Sequence, residues 1–169
     1  MEVRPATVDD AVAINALYNC YVDTTMVAWT EAHEDLVVRQ EWLRAQEAAG
    51  HPVLVAVGEA GVVGFASYSD FRDSKKWPGY RFTVEHTIYV DRSCHRQGVG
   101  RALLIELLER AEGAGKHVMI GAVDGGNEGS IAFHGRFGFR EVGRVREVGF
   151  KFGTWLDLVL MERILRRSR

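Results

Sequence analysis

Apolar side chains follow a helical spacing over the first part of the chain. They recur every three to four residues from Ala11 to Tyr21, which predicts a first amphipathic helix. A second helix is predicted to begin near Asp35 and to end at Gly50, just ahead of the helix breaker Pro52. The chain is therefore predicted to open with two helices.

The pattern changes to short β-rich runs after residue 52. Residues 53–57 and 62–68 are rich in valine and are joined by a glycine-containing turn, which predicts a β-hairpin. A third strand is predicted at residues 82–90, where Val84, His86, Ile88 and Val90 share one face through the two-residue repeat of a strand. The polar members of this strand are unusual for a half-buried segment.

The remaining pattern predicts five more elements. They are a leucine-striped helix at 98–113, a strand at 117–123, a short helix at 127–137, and strands at 139–149 and 155–162. The order is then two helices, three strands, helix, strand, helix and two strands. This order predicts an α+β fold with a mixed sheet and disfavours a doubly wound dinucleotide-binding fold.

Composition narrows the class of protein. The 169 residues are 47% hydrophobic and 26% charged, which predicts one globular domain over residues 1–169. The 21 basic and 23 acidic side chains leave a net charge of -2, so the sequence offers no basic excess for nucleic acid or for an anionic membrane. No apolar stretch approaches the length of a membrane span.

Two cysteines, Cys20 and Cys94, lie far apart and form no metal-ligand spacing. We therefore expect no metal site and no disulfide framework. The N-terminus has no basic segment followed by an apolar one, as a secretory signal would have. These features favour a reducing cytoplasm.

The most informative segment is residues 95–101, His-Arg-Gln-Gly-Val-Gly-Arg, which opens the leucine-striped helix. Glycines let a backbone approach an anion closely, and helix N-terminal N–H groups bind it, so a pyrophosphate is the natural ligand. A P-loop is unsupported because Gly100 is followed by Arg101 rather than Lys, and a Rossmann turn is unsupported because Leu103 replaces the third glycine. A plain helix start remains the alternative.

These residues resemble the signature of the GNAT superfamily of acetyl-CoA-dependent N-acetyltransferases, Gln/Arg-x-x-Gly-x-Gly/Ala. Gly98 and Gly100 match it, and His95 departs from it. A second family element, around a helix and the strand after it, is matched by Asn127, Ser130, Ile131, Gly138 and Phe139. His134 stands where many members have the tyrosine that protonates the departing thiolate.

The resemblance is strongest to one branch, the phosphinothricin N-acetyltransferase-like enzymes. The segments that carry it are residues 15–21, 24–30, 84–90, 115–119 and 149–157. The branch acetylates small amino acids of the phosphinothricin, methionine sulfoximine and methionine sulfone type. One departure is the loop at residues 72–81, which is a few residues longer than expected.

The resemblance implies a GNAT fold and acetyl-CoA as cosubstrate. The residues expected to bind acetyl-CoA are Ile88, Tyr89, Val90, Arg96, Gln97, Gly98, Val99, Gly100, Arg101, Asn127 and Ser130. Main-chain groups of the strand would bind the pantetheine amides as an added strand does, and one of them would polarise the thioester carbonyl. A simple helix N-cap explains Asn127 nearly as well.

Acetyl transfer requires a neutral amine, so a base must remove a proton from the ammonium group. Family position makes Glu85 the expected base, directly or through a water; an ion pair with Arg72 or Arg81 is the alternative. His86 points to the opposite strand face and could share the role only if a bulge turned it. His134 is the expected acid for the thiolate, with a packed, hydrogen-bonded histidine as the alternative.

The acceptor is expected to be a free amino acid, whose carboxylate suits a cationic partner such as a guanidinium group. By resemblance, Arg72, Arg81 or Lys151 binds that carboxylate. The alternative for each arginine is that it is an ordinary surface residue with no role in binding. The full expected substrate set is Trp29, Arg72, Tyr80, Arg81, Glu85, His86, Thr87 and Lys151. The family likeness also implies a homodimer.

The sequence therefore predicts direct acetyl transfer to the α-amine of a small amino acid. Two alternatives stay open. One is an acetyltransferase for another amine, such as a protein N-terminus or a polyamine. The other is an acyl-CoA-binding sensor that retained the glycine turn and lost turnover.

Overall fold

A computed structural model describes residues 1–165 as a seven-stranded sheet with the strand order β1-β2-β3-β4-β5-β7-β6. The strands are β1 (Glu2–Pro5), β2 (Val53–Gly58), β3 (Gly61–Asp70), β4 (Thr83–Val90), β5 (Val118–Asp124), β6 (Arg140–Lys151) and β7 (Thr154–Ile164). The helices are α1 (Ala11–Thr24), α2 (Leu36–Ala48), α3 (Val99–Gly113) and α4 (Glu128–Arg136). Only β4 and β5 run parallel; the other neighbours are antiparallel.

The predicted α+β class and mixed sheet are confirmed, with one element missed. The structure opens with strand β1, which pairs antiparallel with β2 from Glu2 opposite Val57 to Pro5 opposite Leu54. The expectation that the chain begins with a helix is therefore wrong. β1 has four residues and ends on a proline, which an edge strand tolerates because its N–H is not needed there. So short a segment shows no clear alternation in sequence.

The helices cover both faces of the sheet. The leucine stripe of α3 packs with β-strand residues such as Val84 and Met119 in one core. Ile14 of α1 packs with Phe65 of β3 in a second core on the other face. Successive side chains of β4 therefore point alternately into the two layers. Over residues 1–165 no helix has both the length and the apolar character needed to cross a membrane.

The strands β4 and β5 separate halfway along β4. Their parallel pairing runs from Thr83 opposite Val118 to His86 opposite Gly121 and goes no further. β4 stays paired with β3 up to Val90, and β5 stays paired with β7 up to Asp124. The C-terminal half of β4 thus has an unpaired edge, and a gap opens through the sheet beside it.

Candidate active site

A cavity of about 90 Å³ occupies the gap between β4 and β5. Its lining comes from both strands, from α4 and from the segment after α1: Val27, Glu85, His86, Thr87, Ile88, Tyr89, Gly121, Ala122, Val123, Asp124, Asn127, Ser130 and His134. The structure thus brings the three expected catalytic residues to one cavity, together with several of those expected to bind substrate and cosubstrate.

Glu85 lies on the α1/α2 side of β4, between Ser69 of β3 and Ile120 of β5. Among the residues that the structure describes, its carboxylate makes no salt bridge, so the ion-pair alternative with Arg72 or Arg81 is not formed. Burial raises the pKa of Glu85, and the nearby charge of Arg72 partly offsets that rise. The raised pKa makes this carboxylate a stronger base than an exposed glutamate.

His86 lies on the opposite face of β4 and still reaches the same cavity. The β3–β4 register is unbroken from Gly64 to Asp70, so no bulge turns the side chain. The gap in the sheet opens the cavity to both faces instead. His86 is only 4% exposed, and neither ring nitrogen has a hydrogen-bond partner in the part of the chain that the structure describes. Burial, together with the neighbouring His134, lowers the pKa of His86 to about 3.

His134 projects from α4 toward His86, with the two ring centres 5.1 Å apart. It is 3% exposed, and its Nδ1 lies 2.7 Å from the carbonyl oxygen of Ser130. Its Nε2 has no hydrogen-bond partner among the described residues. Burial lowers the pKa of His134. The ring is therefore packed and hydrogen-bonded through one nitrogen and open to the cavity through the other.

Asn127 caps α4 and also lines the cavity. Its side-chain oxygen accepts the Ser130 N–H at 3.0 Å, so the N-cap explanation holds. The amide nitrogen of Asn127 and the hydroxyl of Ser130 remain able to bind a polar ligand there. Asn127 therefore has a structural role as the N-cap of α4, and this role leaves its expected contact with acetyl-CoA open.

The glycine turn precedes α3 in a conformation that requires glycine. Gly98 has a φ of 87°, and no atom lies within 4 Å of where its Cβ would be. Arg96 also has a positive φ, and Gln97 donates from Nε2 to the Ser93 carbonyl at 2.8 Å. This places an exposed turn, with Val99 as the first residue of the helix, beside the end of β4.

His95 ties this turn to β4. Its Nε2 lies 3.0 Å from the Val90 carbonyl oxygen, which also accepts the Tyr21 hydroxyl at 2.6 Å. The departure of His95 from the family signature therefore has a structural explanation. Sequence reasoning missed Tyr21, because only the tertiary fold brings α1 against the end of β4.

The unpaired edge of β4 exposes some main-chain groups and not others. Asp91 donates its N–H to Val63 of β3, so strand alternation turns the groups of Ile88 and Val90 toward the gap. The main chain of Tyr89 faces β3 instead, and its ring stacks on Phe65. Of the three strand residues expected to contact acetyl-CoA, Tyr89 therefore borders the cavity without turning its main-chain groups toward the gap.

A larger open groove of about 710 Å³ lies between α3 and α4 next to the glycine turn. Arg101 and Arg136 line it, and the Phe133 ring at its wall lies 3.5 Å from where a Gly100 Cβ would be. Sequence reasoning missed Arg136, which lies within the second family element at a position that the element leaves unspecified.

Three of the expected substrate residues, Arg72, Tyr80 and Arg81, lie in the segment between β3 and β4. Arg72 is close enough to Glu85 to act on its pKa. In the same exposed loop, the Arg81 guanidinium lies 4.4 Å above the Phe82 ring. Tyr80 is exposed and meets Phe71 edge-on.

Thr87 and Trp29, two more residues expected to contact substrate, make firm contacts with the protein. Thr87 shares a hydrogen bond with the Ser67 hydroxyl at 3.2 Å. Trp29 packs flat against Gly149, whose Cβ would be 2.6 Å from the indole ring. Gly149 therefore leaves the space that the Trp29 ring occupies.

Lys151 is a correction to the expected substrate set. It is fully buried, and its Nζ donates to the carbonyl oxygens of Val22, Thr25 and Ala28, each at 2.7 Å. An ammonium group has three N–H donors, and all three are used. Lys151 therefore secures the end of α1 and the segment after it, and has no donor left for a substrate carboxylate.

Comparison with known proteins agrees with this geometry. The Acetyltransferase (GNAT) family matches residues 14–139. The chain is 45% identical over 161 residues to the L-methionine sulfoximine/L-methionine sulfone acetyltransferase of Pseudomonas paraeruginosa (strain DSM 24068 / PA7), covering 95% of this chain and 92% of that protein.

Two solved structures are similar over nearly their whole length. A ribosomal-protein-alanine N-acetyltransferase from Brucella melitensis has a TM-score of 0.93 and 43% identity, covering 98% of this chain and 100% of that one. A GNAT superfamily phosphinothricin acetyltransferase from Sinorhizobium meliloti, solved in complex with acetyl-CoA, has a TM-score of 0.92 and 33% identity, covering 97% and 88%. With a family match over most of its length and a glycine turn beside parted strands, this chain belongs to the GNAT acetyltransferase family.

Proposed function

We propose that the chain transfers the acetyl group of acetyl-CoA to the α-amine of a small amino acid of the methionine sulfoximine, methionine sulfone or phosphinothricin type. The observation that carries the proposal is the half-buried Glu85 carboxylate, which lines the cavity between β4 and β5 and makes no salt bridge with any residue from 1 to 165. Relatives that act on these amino acids support the substrate class.

Acetyl-CoA supplies the thioester carbonyl that the amine attacks. The N–H groups from Gly98 to Gly100 would bind its pyrophosphate at the start of α3, with Arg96, Gln97 and Arg101 around them. The open Cβ position at Gly98 supports this, because nothing there obstructs a close approach. Arg101 also lines the larger groove, so its charge can reach the phosphates.

The pantetheine arm fits the gap in the sheet. The unpaired main-chain groups of Ile88, and the N–H of Val90, face that gap and would hydrogen-bond the arm as a neighbouring strand does. The Val90 carbonyl takes no part because Tyr21 and His95 already bind it. Asn127 and Ser130 would contact the arm from the start of α4.

Glu85 is the proposed base. Burial raises the pKa of Glu85 toward the pKa of the ammonium group that it must deprotonate, which makes the proton transfer less unfavourable. His86 is the second choice for this step, since it is neutral and shares the cavity but lies on the other face of β4. His134 is the proposed acid for the departing thiolate.

Recognition of the acceptor carboxylate falls to Arg72, with Arg81 as the second candidate. Arg72 is the cation whose charge acts on Glu85, so a carboxylate bound there would bring its own α-amine toward the base. Trp29, Tyr80 and Thr87 would border the acceptor, with Trp29 held in place by contact with Gly149.

A protein N-terminus is a second candidate acceptor. The similarity to the ribosomal-protein-alanine N-acetyltransferase of Brucella melitensis supports it, because that protein is 43% identical and covers nearly the whole chain. A peptide acceptor has an amide where a free amino acid has its α-carboxylate. The role of Arg72 therefore separates the two candidates.

The test is release of CoA thiol from acetyl-CoA with a panel of amines. L-methionine sulfoximine, L-methionine sulfone and phosphinothricin should give turnover, and the carboxamide of each should show a higher KM with unchanged acetyl-CoA affinity. An alanine-initiated peptide and a polyamine complete the panel. Faster turnover of the peptide would contradict the free amino acid, and no thiol above the hydrolysis blank with any amine would favour a sensor.

We also propose a homodimer. Strand β6 is one of the two edges of the sheet, and the β6–β7 hairpin exposes Val148, Phe150, Phe152 and Trp155. A second copy would cover these apolar side chains. Light scattering on the protein as it elutes from a size-exclusion column should give twice the mass of one chain. The variant Trp155→Glu should give the mass of a single chain. A monomeric mass for the unaltered chain would refute the dimer.

A further inference from the structure

The hydrogen bond between His134 and Ser130 determines which nitrogen of His134 carries the proton. The nearer partner of Nδ1 is the Ser130 backbone carbonyl oxygen at 2.7 Å, which can only accept, while the Ser130 hydroxyl is more distant at 3.4 Å. Nδ1 must therefore carry the proton. In a neutral imidazole the other nitrogen, Nε2, is then an unprotonated acceptor.

That free nitrogen is buried and directed at the cavity. Within residues 1–165, Nε2 of His134 has no hydrogen-bond partner, although the residue is only 3% exposed. A Cβ on Gly121 would lie 3.5 Å from it and 3.1 Å from Nε2 of His86, so both acceptors lie close to the same point of β5. The absence of a side chain at Gly121 leaves this space open.

The surroundings favour the neutral form of His134. The titratable groups that line the cavity with it are Glu85, His86 and Tyr89 on β4 and Asp124 on β5. Phe133 and Phe139 pack against its ring. Burial lowers the pKa of His134 below its usual 6.5, so the ring carries no charge at neutral pH. A neutral His134 with its proton on Nδ1 has no proton to give from Nε2.

We propose that His134 enters the reaction as a proton acceptor, taking the second proton of the attacking amine on Nε2 and then delivering that proton to the departing sulfur. This rests on the proposed acetyl transfer and changes the order of events at His134. An acid that acts first must already hold its proton, and His134 does not.

The protons and electron pairs balance. Glu85 takes one proton from the ammonium group, and the amine lone pair forms the new C–N bond to the thioester carbon while the carbonyl π pair moves to oxygen. The nitrogen then carries a positive charge and two protons, and one of them moves to the Nε2 lone pair of His134, which gives an imidazolium stabilised by the Ser130 carbonyl. The oxyanion pair reforms the carbonyl as the C–S bond breaks with its electron pair on sulfur, and the imidazolium gives its Nε2 proton to that sulfur.

The first test needs no substrate. The chain has six histidines, so ¹⁵N-histidine labelling of the free protein gives a small set of ring signals whose shifts report the protonated nitrogen. His134→Gln and His86→Gln identify the two buried rings. We expect His134 to be neutral with its proton on Nδ1 at pH 7. A proton on Nε2, or an imidazolium at pH 7, would overturn the proposal.

The second test compares the unaltered chain with His134→Tyr across pH 6 to 9. A phenol can donate a proton to the thiolate but has no basic nitrogen to accept one from the amine. We expect kcat of the variant to be at least about tenfold lower at pH 7, with KM for acetyl-CoA little changed. Ionisation of Glu85 and of the amine affects both proteins and cancels in the ratio of their kcat values.

The kcat of the unaltered chain divided by the kcat of His134→Tyr should stay constant or rise as the pH rises. A fall of about tenfold per pH unit above pH 7 would mean that His134 acts from a preformed imidazolium, and equal kcat values would mean that no proton acceptor is needed. Both results would overturn the proposal. Failure of the proposed function is distinct, since it is no thiol release with any amine, and the ring signals would then still decide the tautomer.

Discussion

Replacing Lys151 by methionine tests whether this residue stabilises the fold or binds substrate. Methionine retains a similar length and apolar stem but removes the ammonium group. The three carbonyl oxygens of Val22, Thr25 and Ala28, each 2.7 Å from Nζ, then lose their shared donor. Val22 is close to the C-terminal end of α1, where helix carbonyls have no partner within the helix.

The expected loss follows from these contacts. A buried acceptor left without a partner costs about 1–3 kcal/mol. Three of them are affected, and part of the loss is offset because the ammonium group no longer has to be desolvated. We therefore expect the free energy of unfolding to fall by about 3–5 kcal/mol. For a chain of this size that lowers Tm by roughly 6–20 °C.

The assay is urea unfolding followed by circular dichroism, with Lys75→Met as the matched control. Lys75 is exposed in the loop between β3 and β4, so its replacement should change stability by less than about 0.5 kcal/mol. A loss below about 1 kcal/mol for Lys151→Met, together with a raised KM for the amino acid, would refute the structural assignment. It would return Lys151 to the substrate site.

Three further predictions concern the cosubstrate, the acceptor and a buried carboxylate. Gly100→Glu should abolish acetyl-CoA binding in calorimetry while the protein stays folded, because the longer side chain would place a carboxylate where the pyrophosphate binds; unchanged affinity would contradict this. Arg72→Ala should raise KM for the free amino acid and leave its carboxamide nearly unaffected; equal losses on both would make Arg72 structural. Arg4 lowers the pKa of Asp10, so the stability that Asp10 adds is present above pH 4 and lost as the pH falls further. The stability difference from Asp10→Asn should therefore shrink between pH 5 and pH 3 in urea unfolding, and a constant difference would contradict it.

The fold was predictable because its elements carry local signals. The leucine stripe of α3, the glycine turn before it and the hairpin of β2 and β3 each follow from spacing that a few neighbouring residues determine. Strand β1 lacks such a signal, because its pairing with β2 joins residues about 50 positions apart and its four residues show no repeat.

The sequence was enough to predict which residues line the cavity, but it was less informative about how they are arranged around it. Glu85, His86 and His134 were identified from the sequence, yet the sequence does not state where β4 and β5 stop pairing. That end point, after His86 and Gly121, lets side chains from both faces of β4 reach one cavity without a bulge. Lys151 was misassigned because three carbonyl acceptors from a distant segment are not visible in its local sequence.

The most direct test of the account is the pH profile of kcat/KM for L-methionine sulfoximine acetylation by the unaltered chain and by Glu85→Gln. Glutamine keeps the size and shape of the side chain but cannot accept the proton. We expect a loss of roughly two or more decades at pH 7, which narrows as the pH rises because more of the amine is already neutral. Acetyl-CoA affinity and Tm should change little. A loss under about threefold in a folded variant, or a large loss that alkaline pH does not reduce, would contradict the role of Glu85 as the base.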